Sequence, residues 1–313
     1  MYCSLFYYNF QIGRMKRMAH TDQLIKALAY NDQVRIYLID LTQTVREGSQ
    51  RHEMWHTATA AYGRTLVAAA LLAGNLKGED RLTVQVKGEG PIGRILCQAD
   101  AKGHVRGYVD NPHVALELND EGKLDVKGAV GLPGMLSVTK QLAVGEPFTG
   151  QVPLVSGELA EDFTYYMAVS EQTPSSIGLS VLVNQDETVR VAGGFMIQVL
   201  PGATDETIEQ LEANINQLGR FSSLLDSGKS LEDIMNDLVN EQTVRILSRE
   251  PVVYQCSCSK EHFEDRLLLL SKEDLKQLIE EDEGAEVICH YCNDHYNFTK
   301  EELENILALK EEK

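Results

Sequence analysis

The sequence predicts an α+β protein in three parts: a large N-terminal core of antiparallel sheets packed on helices, a helical linker, and a small C-terminal domain built round four cysteines. Three observations predict it. Short strand-like runs broken by Gly, Asp and Asn dominate from about Thr21 to Leu200, with few helices among them. After "PGATDE" the texture becomes acidic and helical. Four of the six cysteines then fall within 37 residues, from Cys256 to Cys292.

Residues 1–17 stand apart. They hold Arg14, Lys16 and Arg17 and no acidic residue, in a chain whose formal net charge is −18. The basic residues follow the apolar stretch, the reverse of a secretory signal. Met18 offers a second start, so residues 1–17 are expected to be a non-native or upstream extension, and the core to occupy residues 18–227.

Within the core, "TDQLIKALAY" has a capping residue and helical spacing, and "VRIYLID" alternates like a strand. "MWHTATAAYGRTLVAAALLAGNL" (54–76) is apolar over most of its surface, which predicts a buried central helix. The runs "LTVQVKG", "RILCQAD", "HVRGYVD", "MLSVTKQL", "DFTYYMAVS", "GLSVLVN" and "TVRVAGGFMIQVL" all read as strands. "DETIEQLEANINQLGRF" reads as a helix between a Thr204 cap and Gly219.

The linker is placed at 228–250. "SLEDIMNDLVNEQTVRIL" opens with Ser230 and Asp233 in capping-box spacing and reads as a helix. Its apolar stripe is thin (Leu231, Ile234, Leu238), so its folding depends on docking against something else. Pro251 opens the last domain, 251–313. There "SKEDLKQLIEEDEG" carries Ser271 and Asp274 as a cap with Gly284 as terminator, and "TKEELENILALKEEK" repeats the device with Thr299 and Glu302. A segment this short with few large apolar side chains is marginal without a cross-link or metal.

Charge narrows the function. Residues 205–313 hold 26 acidic and 11 basic residues. Such a surface repels phosphate backbones, so a zinc-ribbon nucleic-acid binder is disfavoured. No run of about 18 apolar residues exists, so no spanning helix and no membrane partner are expected. "GEGPIG" and "AGGF" match neither phosphate-loop pattern, and "TYYMAVSEQTPSS" contains no nucleophile elbow.

The cysteines carry the chemistry. Their spacing is C-x-C, 30 intervening residues, then C-x2-C. A turn within C-x2-C brings both sulfurs to one side, and C-x-C converges if Ser257 bends the chain. Cys256, Cys258, Cys289 and Cys292 are therefore the candidate ligands of one structural Zn²⁺, whose binding and the domain's folding would be one event. Unrelated free thiols and permanent disulfides are weaker readings, because the cysteines are paired and the compartment reads as a reducing cytoplasm. His262, His290 and His295 are expected to act beside the site by charge or hydrogen bonding. Cys97 reads as a small buried hydrophobe, and Cys3 belongs to the leader. An oxidised C-x-C pair closes a very small ring, so its disulfide would be easily reversed. Zinc-held thiolates remain nucleophilic towards peroxide, and the combination suggests a switch.

From about His20 onward the chain resembles the heat shock protein 33 family of redox-regulated bacterial chaperones. The resemblance rests on "LIKALAYNDQVRIY", "RLTVQVKGEGPIG", "HVRGYVDNP", "FTGQVPLVSGELAEDFTYYMAVSEQTPSSIGLSVLVN", "AGGFMIQVLPGA" and the paired "CSCSKEHF" and "CHYCNDHYNFTKEEL". It implies a holdase and not an enzyme. In the reduced, inactive form one zinc per chain would be held by Cys256, Cys258, Cys289 and Cys292. Oxidation would link Cys256 to Cys258 and Cys289 to Cys292, release zinc, and unfold the redox-switch domain with the metastable linker. The partners implied are unfolding client proteins and, in the active form, a second copy in a homodimer. A thiol–disulfide oxidoreductase is the alternative; against it, the C-x2-C pair does not open a helix after a strand.

Overall fold

The computed structural model describes residues 21–240 and 243–311; the expected extension at 1–17, with Cys3, lies outside them. The described residues form two sheets, a hairpin and a set of helices. The first sheet contains β1 (Gln23–Ala29), β2 (Val34–Asp40), β8 (Ser175–Val183), β9 (Val189–Val199) and β10 (Arg245–Pro251), in the order β10-β1-β2-β9-β8 and antiparallel throughout. The second contains β3 (Arg81–Gly88), β4 (Arg94–Asp100), β5 (His104–Val109), β6 (Gly134–Gln141), β7 (Phe148–Pro153) and β11 (Val253–Tyr254). Its order is β11-β5-β4-β3-β6-β7, and only the β11–β5 pair is parallel.

Helices α1 (Thr42–Arg51) and α2 (His56–Ala73) follow β2, and α2 packs against strands of both sheets. Every residue of α2 except His56 and Arg64 is buried, as its nearly uninterrupted small and apolar composition requires. Two of its threonines find partners locally, Thr59 Oγ1 donating to the Met54 carbonyl and Thr65 Oγ1 to that of Ala61, while Thr57 Oγ1 accepts from Leu116 N–H. The approach is close. A Cβ on Gly63 would lie 2.7 Å from a methyl of Val45 and 2.9 Å from one of Val181. The short α3 (Val126–Val130) and α4 (Leu159–Val169) complete this core.

A second apolar layer covers the other face of the first sheet. Helices α5 (Asp205–Leu218), α6 (Phe221–Asp226) and α7 (Leu231–Val239) lay Leu211, Phe221, Ile234 and Leu238 in one cluster with Ile25, Ile36 and Leu38. The last domain holds α8 (Lys260–Leu267), α9 (Lys272–Glu280), the hairpin β12 (Gly284–Ile288) and β13 (His295–Thr299), and α10 (Lys300–Glu311). Its own core is small: among the described residues, Leu267, Leu275, Ile279, Phe298, Leu303 and Ile306 form its buried apolar cluster.

The α+β class and the buried central helix are as the sequence predicts, as are the caps by Thr204 and by Ser230 with Asp233. Four local readings are corrected. "QLIKALA" is strand β1: β2 and β10 pair with its edges, Leu24 enters the main core and Ile25, Ala27 and Ala29 the second, so the apolar spacing that mimicked a helix is that of a two-faced strand. "DFTYYMAVS" lies in α4, where Leu159, Phe163, Tyr166 and Met167 are buried at helical spacing; the aromatic run had disguised the period. The linker helix stops at Val239, with Asn240 left-handed at φ 44°, and Arg245–Pro251 is strand. Its buried face is also wider than the expected stripe, adding Met235 and Val239. Finally, α9 ends at Glu280, and Gly284 opens β12 instead of stopping the helix.

Candidate metal centre

Two turns bring the thiols together. The chain leaves β11 into Cys256 and Cys258, while Cys289 and Cys292 occupy the turn between β12 and β13. That second turn is built by backbone bonds, Cys289 N–H to the Asp294 carbonyl and Asn293 N–H to the Cys289 carbonyl, with Asn293 left-handed at φ 58°. Asparagine tolerates this conformation better than most residues. All four sulfurs lie within 4.8 Å of one another. Cys256 and Cys289 are 3.7 Å apart, Cys258 and Cys292 3.2 Å.

These separations fit a tetrahedral ion. Zn–S bonds of ~2.3 Å place the sulfurs of a regular tetrahedron ~3.8 Å apart. The sulfurs also have donors aimed at them: Arg106 Nη1 at 3.1 Å from Cys256 Sγ, and Tyr296 Oη at 3.2 Å from Cys258 Sγ. Such donors suit thiolates. Burial pushes the Cys256 thiol up, but hydrogen bonds from Cys258 and Arg106 outweigh it and its pKa lies below the ordinary value. Burial raises Cys258 and Cys292.

The direct contacts of the three histidines are made away from the sulfurs. His262 packs edge-on to Phe263, His290 lies against Tyr108, and His295 Nδ1 is 3.0 Å from Glu286. Among the described side chains outside the cysteines, those of Arg106 and Tyr296 donate to the sulfurs. Cys97, in β4, is fully buried as expected, and burial holds its thiol well above the ordinary value.

A polar clasp fastens this centre to the core, and sequence reasoning missed it. Asn293 Nδ2 donates to the Arg51 carbonyl at the end of α1 (2.8 Å), and Arg51 pairs with Asp294 (2.9 Å). The Tyr291 carbonyl accepts from Tyr254 Oη and lies 3.0 Å from His52 Nε2. Arg106, held at Nε and Nη2 by the Gln98 side chain, stacks over the Tyr291 ring at 4.3 Å. At the other end of α1, the Asp22 carboxylate accepts from the Gln43 and Thr44 amides while the Asp22 carbonyl accepts from Val252 N–H. One helix thus ties the thiol turn to the strand that precedes the cysteines. None of these residues carries a local signal, because their roles come from elements far apart in sequence.

Comparison with known proteins agrees with this architecture. Residues 22–299 match the family model described as "Hsp33 protein". The 33 kDa chaperonin of Latilactobacillus sakei subsp. sakei (strain 23K) is 51% identical over 288 residues, 92% of this chain and 99% of that protein. That of Bacillus subtilis (strain 168) is 52% identical over 285 residues, 91% of this chain and 98% of that one. The crystal structure of the Thermotoga maritima 33 kDa chaperonin, a heat shock protein 33 homologue, superimposes with a TM-score of 0.88 at 37% identity, covering 94% of this chain and 100% of that chain. Fold, thiol site and relatives together define the class as a molecular chaperone. Within it, the chain belongs to the Hsp33 family. Among the described residues, no helix is long and apolar enough to cross a membrane.

Proposed function

We propose that the protein is a redox-regulated holdase of the cytoplasm, a binder of unfolding proteins and not an enzyme, held inactive by zinc on Cys256, Cys258, Cys289 and Cys292. The observation that carries this reading is the convergence of four sulfurs within 4.8 Å in a domain with so small an apolar core. Bound zinc would supply a cross-link among four points of the chain, which such a core needs.

The switch is oxidation of the ligands themselves. A pair of thiols and a peroxide molecule give a disulfide and water: the S–S bond forms, the O–O bond breaks, sulfur is oxidised and the thiol protons leave with the reduced oxygen. Pairing Cys256 with Cys258 and Cys289 with Cys292 would consume all four ligands. The thiol turn would then lose the shape that offers the Tyr291 and Cys292 carbonyls and the Asn293 amide to α1. The linker follows directly. Residues 228–250 end in β10, and α7 covers Ile36 and Leu38 on the outer face of the first sheet. Its release would uncover apolar surface for clients, with the oxidised form a homodimer.

The test couples three measurements on the full chain: zinc content, free thiols, and suppression of aggregation of a thermally unfolding reporter, before and after peroxide. One zinc per reduced chain, lost together with four thiols as suppression appears, is expected. Equal suppression by fully reduced, zinc-loaded protein would sink the switch.

A further inference from the structure

One continuous segment, Arg245–Tyr254, closes an edge of both sheets. Its first part is β10, antiparallel to β1 at the edge of the first sheet; its last part is β11, parallel to β5 at the edge of the second. Between them Val252 is buried in the main core and donates its N–H to the Asp22 carbonyl, and Val253 N–H donates to that of Gly103. The packing at this crossing is tight: a Cβ on Gly103 would lie 2.3 Å from the Pro251 carbonyl oxygen. Cys256 follows two residues after β11, and Gln255 N–H still donates to the Val105 carbonyl. The thiol centre therefore pulls directly on the strand that seals both sheets.

What holds β10 is mainly its backbone. Exposed and half-buried residues alternate along it, Leu247 is 46% exposed, and Ile246 alone among its side chains joins the second core. Two of its ion pairs, Arg245 with Asp32 and Arg249 with Glu232, sit largely in solvent and contribute little, while Glu250 pairs with the more buried Lys26. The β1 edge thus accepts an extended main chain with few demands on side chains. An uncovered edge is a template for another strand. Beside it, departure of α7 bares the face that carries Ile25 and Ala27.

We infer that oxidation opens the edges of β1 and β5 together, and that these edges bind clients by strand addition. The bound partner is an extended segment of an unfolded protein, recognised through its backbone, so that little sequence selectivity results. The inference rests on the holdase reading above and names where and how that surface engages. The far ends of the two sheets, β7 and β8, are not touched by the segment, and Ile177 N–H of β8 donates to Thr164 Oγ1 of α4; both strands serve as internal controls.

Hydrogen exchange on the oxidised full chain tests this, with reduced carboxymethylated α-lactalbumin as a permanently unfolded client. Amides of β1 and β5 are expected to lose protection on oxidation and to regain at least about tenfold when the client binds, while β7 and β8 do not change. A synthetic peptide of residues 245–254 should compete with the client, and the same peptide N-methylated at alternate residues should not. Client binding with β1 and β5 unprotected, or equal competition by both peptides, overturns strand addition while leaving the holdase reading intact. Protection that rises with protein concentration without client would assign the edges to a second copy and overturn it too. Failure of the oxidised protein to suppress aggregation in the same samples would instead remove the holdase reading itself.

Discussion

The main core and the C-terminal domain are built in opposite ways. In the core, two sheets close on α2, a helix buried on nearly every side, and Tyr62, Leu66, Phe163 and Tyr166 are fully buried around it. In the C-terminal domain a handful of apolar side chains lies in an acidic segment, and four sulfurs converge within 4.8 Å of one another. A core held by area is indifferent to oxidant. Held by the proposed zinc, the C-terminal domain would be as stable as its ligands are reduced, and the linker bound to both would inherit that dependence.

The comparison breaks most visibly at the thiols. Cys258→Ser is expected to reduce metal affinity by more than the roughly 10–100-fold that loss of a supporting hydrogen-bond partner costs. Helix content from α8–α10 should fall while the core melts as before; calorimetry with zinc titration would show it. Next come cavities. Phe163→Ala should destabilise the core by about 3–5 kcal/mol and leave zinc affinity unchanged. Leu275→Ala should lower the melting of the C-terminal domain and hardly move that of the core. If both variants shift a single transition equally, the two regions are one cooperative unit and the contrast fails.

Asp22 gives a pH test of the joint between them. Burial raises its pKa from 3.8 to about 6, with Asp40 adding in the same direction and the Thr44 and Gln43 bonds opposing. A carboxyl raised in the fold binds its proton more tightly there than in the unfolded chain. Its cost is thus full above about pH 6 and is relieved as pH falls towards 4, an effect of up to roughly 3 kcal/mol. Other carboxylates trend the other way, so the measurement is the difference between wild type and Asp22→Asn in denaturant midpoints across pH 4–7. A flat difference would refute it.

The smallest expected effect sharpens the coupling. Arg106→Ala removes a charged donor to Cys256 and the stack on Tyr291, about 1–3 kcal/mol of docking. Reduced, zinc-loaded variant should show faster exchange in β11 and α7 than wild type. Unchanged exchange would mean that the clasp does not carry the coupling.

Much of this was legible in the chain. Strand alternation, the Ala/Leu-rich stretch of α2 and the Ser/Thr caps are local patterns, and local physics produced them as read. The cysteine spacing pointed to one cluster, and the sulfurs do converge. The misreadings share a cause: "QLIKALA" and "DFTYYMAVS" each hold apolar residues compatible with two periods, and the partner strand or layer chooses between them. The strand character of Arg245–Pro251 likewise exists because β1 offers an edge.

By itself, then, the sequence determined the apolar area of one region and the clustered thiols of the other, since composition and short spacing suffice for both. Only the tertiary structure decided how they communicate. Arg51, His52 and Arg106 reach the thiol turn from α1 and β5, and one segment seals two sheets, because contacts between distant elements depend on how the chain returns upon itself and leave no trace in local pattern.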